Sequence, residues 1–173
     1  ADSLVHAASY PRRWEVHWFK PLEKTEFIVG ISTSGEVAFI RRQLPEGEVG
    51  ATISKEEALK VSGAFLISRF GVDVSNTARY RLVESVEDKK ENRLDHRIVW
   101  ERSDLKVGDG EFRLFVEVQG DDIGAVMAEF KAPEPFIRAY RERTPKDGVL
   151  AVAMASTSTT TRWMESALGS VSA

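Results

Sequence analysis

The chain has 173 residues, 42% of them hydrophobic and 29% charged, with a net charge of −3 and no cysteine. Disulfides and thiolate metal sites are therefore excluded. Both signs of charge are interspersed, which argues against a nucleic-acid partner, since such partners call for a basic face. The longest apolar run, Val149–Ala155, is far shorter than the about 20 residues a membrane-spanning helix needs.

Residues 1–11 (ADSLVHAASYP) end in proline and read as the last turn of a helix or as a leader. They show no basic stretch running into an apolar core, the pattern of a signal peptide. In Arg13–Phe19, Trp14, Val16 and Trp18 alternate with Glu15, His17 and Phe19, which predicts a half-buried strand. Glu26–Ser32 is a second strand, with Phe27, Val29 and Ile31 on one face. Thr33-Ser34-Gly35-Glu36 is a hairpin loop whose glycine supplies positive φ. Val37–Gln43 is a third strand, with Val37 and Phe39 expected on one face and Ile40 on the other.

A Gly-bearing connector, residues 45–53, leads to the strongest helix signal in the chain. Ser54 with Glu57 three residues later forms a capping box, and Glu56-Glu57 suits the positive end of the helix dipole. Ala58, Leu59, Val61, Phe65, Leu66 and Phe70 fall within one apolar arc, and Gly71 stands where a helix ends. We expect Ala58, Val61, Phe65 and Leu66 to pack this helix across a sheet.

Strands are then expected at Tyr80–Val86, His96–Arg102, Glu111–Gln119 and Ile123–Lys131. The charged run Glu87–Asp95 reads as a solvated hairpin tip, and Ser103–Gly110 as a turn. A short helix follows Pro133, with Phe136, Ile137 and Tyr140 available to dock it. The tail from Pro145 is apolar, then Ser/Thr-rich, then weakly helical from Arg162 to Leu168.

An internal match runs through this pattern. TEFIVGISTSGEVAFIRR parallels GEFRLFVEVQGDDIGAVMAEFK, with Glu26-Phe27 beside Glu111-Phe112, and RRWEVHW parallels HRIVWER. The second unit has a helix and a strand ahead of its three matching strands, and the first has neither. Residues 1–50 therefore read as the C-terminal half of a truncated repeat, residues 51–145 as a complete one, and 146–173 as a tail of unassigned structure.

Recognisable catalytic motifs are missing. His6, His17 and His96 have no zinc-binding spacing, and no P-loop, nucleophile elbow or dinucleotide fingerprint occurs. Glu101 and Asp104 flank a loop, and carboxylates could serve a hydrolase only if they converge, with Glu117 or His96 beside them. Trp14, Trp18 and Trp100 have two readings, as fillers of a helix–sheet core or as a surface platform for a peptide. The sheet edges offer strand addition as another binding mode.

The helix SKEEALKVSGAFL followed by an antiparallel meander resembles a PepSY-like module, a type found in tandem outside bacterial membranes. Residues 53–143, with NRLDHRIVWER, EFRLFVEVQGDDIG and KAPE, are more closely similar to the extracytoplasmic N-terminal region of certain bacterial CPBP-type (abortive-infection-like) intramembrane proteases. The resemblance covers residues 12–143. It implies an α+β fold of antiparallel sheets each packed by a helix, as tandem PepSY-like or cystatin-like units. That family's active site uses Glu-Glu-x-x-x-Arg on a membrane helix. Here Glu56-Glu57 is followed by Val61 at the arginine position, so no catalytic residue carries over.

The resemblance thus implies a non-catalytic, extracytoplasmic binding or regulatory domain of a larger membrane protein. It would contact a peptide or protein partner and need no cofactor or metal. The competing expectation is a small hydrolase or a hydrophobic-ligand-binding domain with its site in the sheet concavity.

Overall fold

The computed structural model describes Leu4 and residues 12–143. The expectations for residues 1–11, Leu4 apart, and for the tail from Pro145 lie outside the described residues. Seven strands and two helices follow in order: β1 (Arg13–Phe19), β2 (Glu26–Ser32), β3 (Val37–Gln43), α1 (Lys55–Phe70), β4 (Tyr80–Lys89), β5 (Leu94–Val107), β6 (Gly110–Gln119), β7 (Asp122–Lys131) and α2 (Glu134–Arg143). The fold is α+β. Its strands form one antiparallel sheet in the order β1-β2-β3-β7-β6-β5-β4. Two separate sheets were expected. Instead the two meanders join where β3 pairs with β7, Phe39 with Met127, Ile40 with Val126 and Arg41 with Ala125.

The chain divides into two compact units, Ala1–Ala132 and Pro133–Ala173. The whole sheet and α1 belong to the first. In the second, α2 begins with the Ile137 amide donating to Pro133 O at 3.0 Å, and Phe136 stacks on Tyr140 one turn later.

Helix α1 starts as its sequence dictates. The Glu57 amide donates to Ser54 Oγ, and the Ser54 amide donates to the Glu57 carboxylate at 3.0 Å. These reciprocal bonds satisfy donors that have no partner inside the helix. The same bonds hold the Glu57 carboxyl below its usual range. At the other end Gly71 takes a left-handed conformation, φ +65°, and its amide returns to Ile67 O. A side chain there would be strained.

The helix lies over β5, β6 and β7. Ala58, Leu66 and Phe70 are buried against Ile98, Trp100, Leu114, Val116, Val118 and Val126, and Leu4 joins the same core. Each buried side chain of this size contributes about 1.5–3 kcal/mol. The buried stripe departs from the expected arc at one point. Ser62 is fully buried and Val61 only half so. Ser62 stays satisfied because its hydroxyl donates back to Ala58 O at 2.7 Å, and its small size lets the helix sit close.

Three strand details differ from expectation. Strand β4 runs to Lys89 and β5 starts at Leu94, so the hairpin tip is only residues 90–93. Strand β5 continues through Ser103 to Val107, with its register to β6 shifting between Arg102 and Lys106. In β3 an extra residue between the pairs Gly30–Phe39 and Ile31–Val37 makes a bulge. That bulge resets the alternation, so Val37 and Ile40, not Val37 and Phe39, pack toward the α1 core. The β6–β7 hairpin has the same device, with Gly124 extra between the pairs Glu117–Ala125 and Val118–Ile123.

The connector between β3 and α1 is pinned at one end of the sheet. Arg93 and Asp95 form a buried ion pair beneath it. Arg93 Nη1 also donates to Pro45 O at 2.9 Å and Glu48 O at 3.0 Å, and Asn92 Nδ2 donates to Gly47 O. The Gly120 amide donates to Asp95 Oδ1 at 3.1 Å. A Cβ on Gly120 would lie 2.9 Å from the Ala51 amide nitrogen, which is why the β6–β7 turn carries glycine here.

Candidate functional site

Cross-strand partners share a face of a sheet. Trp14 pairs with Ile31, Val16 with Val29 and Trp18 with Phe27. Val29 pairs with Ile40, and Ile40 with Val126, which lies in the core under α1. All of these side chains therefore stand on the helix-bearing face. Over β5–β7 that face is covered. Over β1 and β2 it is open: Trp14 is 72% exposed, Trp18 53% and Phe27 49%.

The strip is held from behind. On the opposite face Arg13 lies over the Phe39 ring, 5.0 Å from its centroid. That ring in turn fills the space above Gly30, where a Cβ would sit 2.1 Å from it. Glu15 lies between two side chains of its own strand, 3.5 Å from Arg13 Nε and 4.0 Å from His17 Nε2. Strand β1 thus holds its tryptophans on a fixed scaffold, and a contiguous exposed apolar strip of this kind marks an interaction surface. Aromatic side chains of this sort anchor protein interfaces.

Comparison with known proteins does not assign this surface. No protein-family model matches the chain, and no match is found among curated proteins or solved structures.

Of the three tryptophans singled out by sequence, two belong to this strip. Trp100 does not: it is 4% exposed, in the core beneath α1. Phe27 takes the third place in the strip. Its face was legible in the alternation of β2, but its membership depends on the β1–β2 register that sets it opposite Trp18.

The candidate acid–base residues do not converge. His96 pairs with Val118 on the helix-bearing face, whereas Glu101 pairs with Arg113 and Glu117 with Arg97, across the sheet from it. His96 is buried, and its Nε2–H donates to Ile53 O at 3.0 Å, fastening the connector just ahead of α1. Its Nδ1 has no partner. Glu101 accepts from Arg81 Nη2 at 3.0 Å, within a row Arg81–Glu101–Arg113–Glu129 that alternates in charge across four strands. Asp104 lies between Arg102 Nε at 2.6 Å and Arg79 Nε at 3.0 Å. These guanidiniums, Arg102 first, hold its carboxyl down to about 2. A carboxyl held so low stays ionised and is poorly suited to donate a proton near neutral pH. Among the described residues no group of three or more His, Asp or Glu is placed to hold a metal ion.

Proposed function

We propose that this chain is a non-catalytic binding or regulatory domain of a larger bacterial membrane protein, lying outside the membrane and contacting a peptide or protein partner. Its binding surface is the open face of β1 and β2. The observation that carries this reading is the contrast between Trp18 and Trp100. Trp18 stands opposite Phe27 as Trp100 stands opposite Leu114. Trp100 has a helix over it; among the described residues Trp18 has none.

The tandem-unit reading accounts for that contrast. Aligned by their pairing, β1-β2-β3 superpose in register on β5-β6-β7. Val16–Val29–Ile40 corresponds to Ile98–Val116–Val126, and the two β-bulges coincide. This shifts the direct match of Phe27 with Phe112 by two residues, to Leu114, and leaves every face unchanged. On this reading β1–β3 are the last three strands of a PepSY-like unit, and the strip is the face that corresponds to the one α1 covers on β5–β7. The resemblance to the extracytoplasmic region of CPBP-type intramembrane proteases supports the location and the membrane-bound parent.

The test replaces Trp18 with a benzophenone amino acid in the native host. Irradiation should join this position to one defined protein chain, while the same probe at Glu84, on the far edge strand, stays unreacted. Equal labelling at both positions, or none at Trp18, rules the surface out.

A further inference from the structure

The two edges of the sheet are built differently. The β4 edge is interrupted by a bulge between Leu82 and Glu84 and carries Arg81, Glu84, Glu87, Asp88 and Lys89. Such features block strand addition. The β1 edge has no bulge and fewer charges, Arg13 and Glu15 alone. It pairs with β2 without a register shift over Arg13–Phe19 and contains no proline, glycine or lysine. Among the described residues no strand pairs with its outer side.

The residues on this strand are arranged symmetrically about Val16. One step out on either side stand Glu15 and His17, and two steps out stand Trp14 and Trp18. An antiparallel strand of the same sequence, centred on Val16, would place Glu15 opposite the second copy's His17 and Trp14 opposite its Trp18. Both are favourable cross-strand pairs, one of a carboxylate with an imidazole N–H donor and one aromatic. Each occurs twice through the two-fold axis. The two pairs fall on different faces, so the aromatic rows of both copies merge on the helix-bearing face.

We propose that β1 is a self-complementary edge through which two copies of this chain pair antiparallel about Val16, extending the sheet across both. The occupant is a second copy because the sequence of β1 answers its own polar and aromatic pattern in this register. The pairing uses the backbone edge and leaves the outer faces of Trp14, Trp18 and Phe27 open. Sedimentation of the chain alone tests this pairing, and a cross-link from Trp18 to a chain other than a second copy tests the partner-binding reading.

The test is a charge exchange across the seam, read by sedimentation velocity over a concentration series. The wild-type chain should show a concentration-dependent dimer. Glu15→Lys removes the carboxylate that accepts from His17 and weakens dimerisation by about tenfold. His17→Glu places two carboxylates opposite each other and weakens it similarly. The double substitution sets an ammonium opposite a carboxylate and brings the dimer back. Both positions in the cycle are exposed, and thermal melts of the three variants should confirm unchanged folding. A wild-type chain that stays monomeric overturns the proposal, as does a dimer indifferent to the single substitutions or one that the double substitution fails to restore.

Discussion

Arg93 Nε lies 2.9 and 3.1 Å from the two carboxylate oxygens of Asp95, and both side chains are almost wholly buried. The pair joins three loops: the β3–α1 connector through Arg93, the β4–β5 hairpin that carries both residues, and the β6–β7 turn through Gly120. Removing one charge leaves the other buried and unpaired. We predict that Arg93→Ala costs about 3–5 kcal/mol, measured as a fall in the urea midpoint without a change in slope. Arg93→Met combined with Asp95→Leu should cost less than Arg93→Ala alone, because no charge is then stranded.

Trp18 and Trp100 occupy corresponding places in the two meanders but differ in what lies above them. Trp100→Ala removes a core side chain under α1 and should cost about 3–5 kcal/mol. Trp18→Ala removes an exposed one and should change stability by no more than about 0.5 kcal/mol. Denaturation of both variants checks the pair, and fluorescence adds a second readout. Loss of Trp18 should remove red-shifted emission, and loss of Trp100 should remove blue-shifted emission.

Asp104 links stability to acid. Its folded-state carboxyl is depressed to about 2 by Arg102 and Arg79, below its ordinary value of 3.8. The stabilisation is therefore present above about pH 4 and is lost as pH falls through about 2. The side chain is partly exposed, so solvent screening keeps the contribution below about 1 kcal/mol. Carboxyl NMR should follow the titration directly. Asp104→Asn should lower stability above about pH 4 by this amount, have no effect below about pH 2, and flatten the profile between.

The ends of α1 are separable. Ser54→Ala removes the acceptor for the Glu57 amide and should cost about 1 kcal/mol. Gly71→Ala forces a side chain into the left-handed region and should cost about 1–2 kcal/mol, with Gly71→Asn less damaging. Thermal unfolding of the three variants measures both effects.

Where a signal is local, the sequence carried it. The capping box, the Gly71 stop and the alternation of β2 and β6 all appear at the positions their residues imply, whereas β1, expected half-buried, is exposed on both faces apart from a half-buried Val16. What failed depended on distant partners. The run Glu87–Asp95 resembles a solvated tip because charge usually seeks water. Arg93 and Asp95 go inside because each supplies the other's counter-ion and the connector supplies carbonyls. Ser62 sits in the buried stripe because its hydroxyl bonds within its own helix. The β3 faces were misjudged because one bulged residue resets the period of two. Trp18 and Trp100 lie in nearly identical strand patterns, and only the helix above distinguishes them. The joining of β3 to β7 has no local marker, since either strand would read the same at a sheet edge.

That seam also governs the order in which the molecule can be made. Residues 39–41 emerge well before their partners, residues 125–127, near the end of the sheet. Until those appear, the first meander exposes the inner edge of β3 as well as the outer edge of β1. Closure then joins stretches far apart in sequence, and such high contact order slows folding toward the millisecond-to-second range. The interval in which two ladders stand open at once is the one in which a nascent chain is most exposed to pairing with the wrong strand.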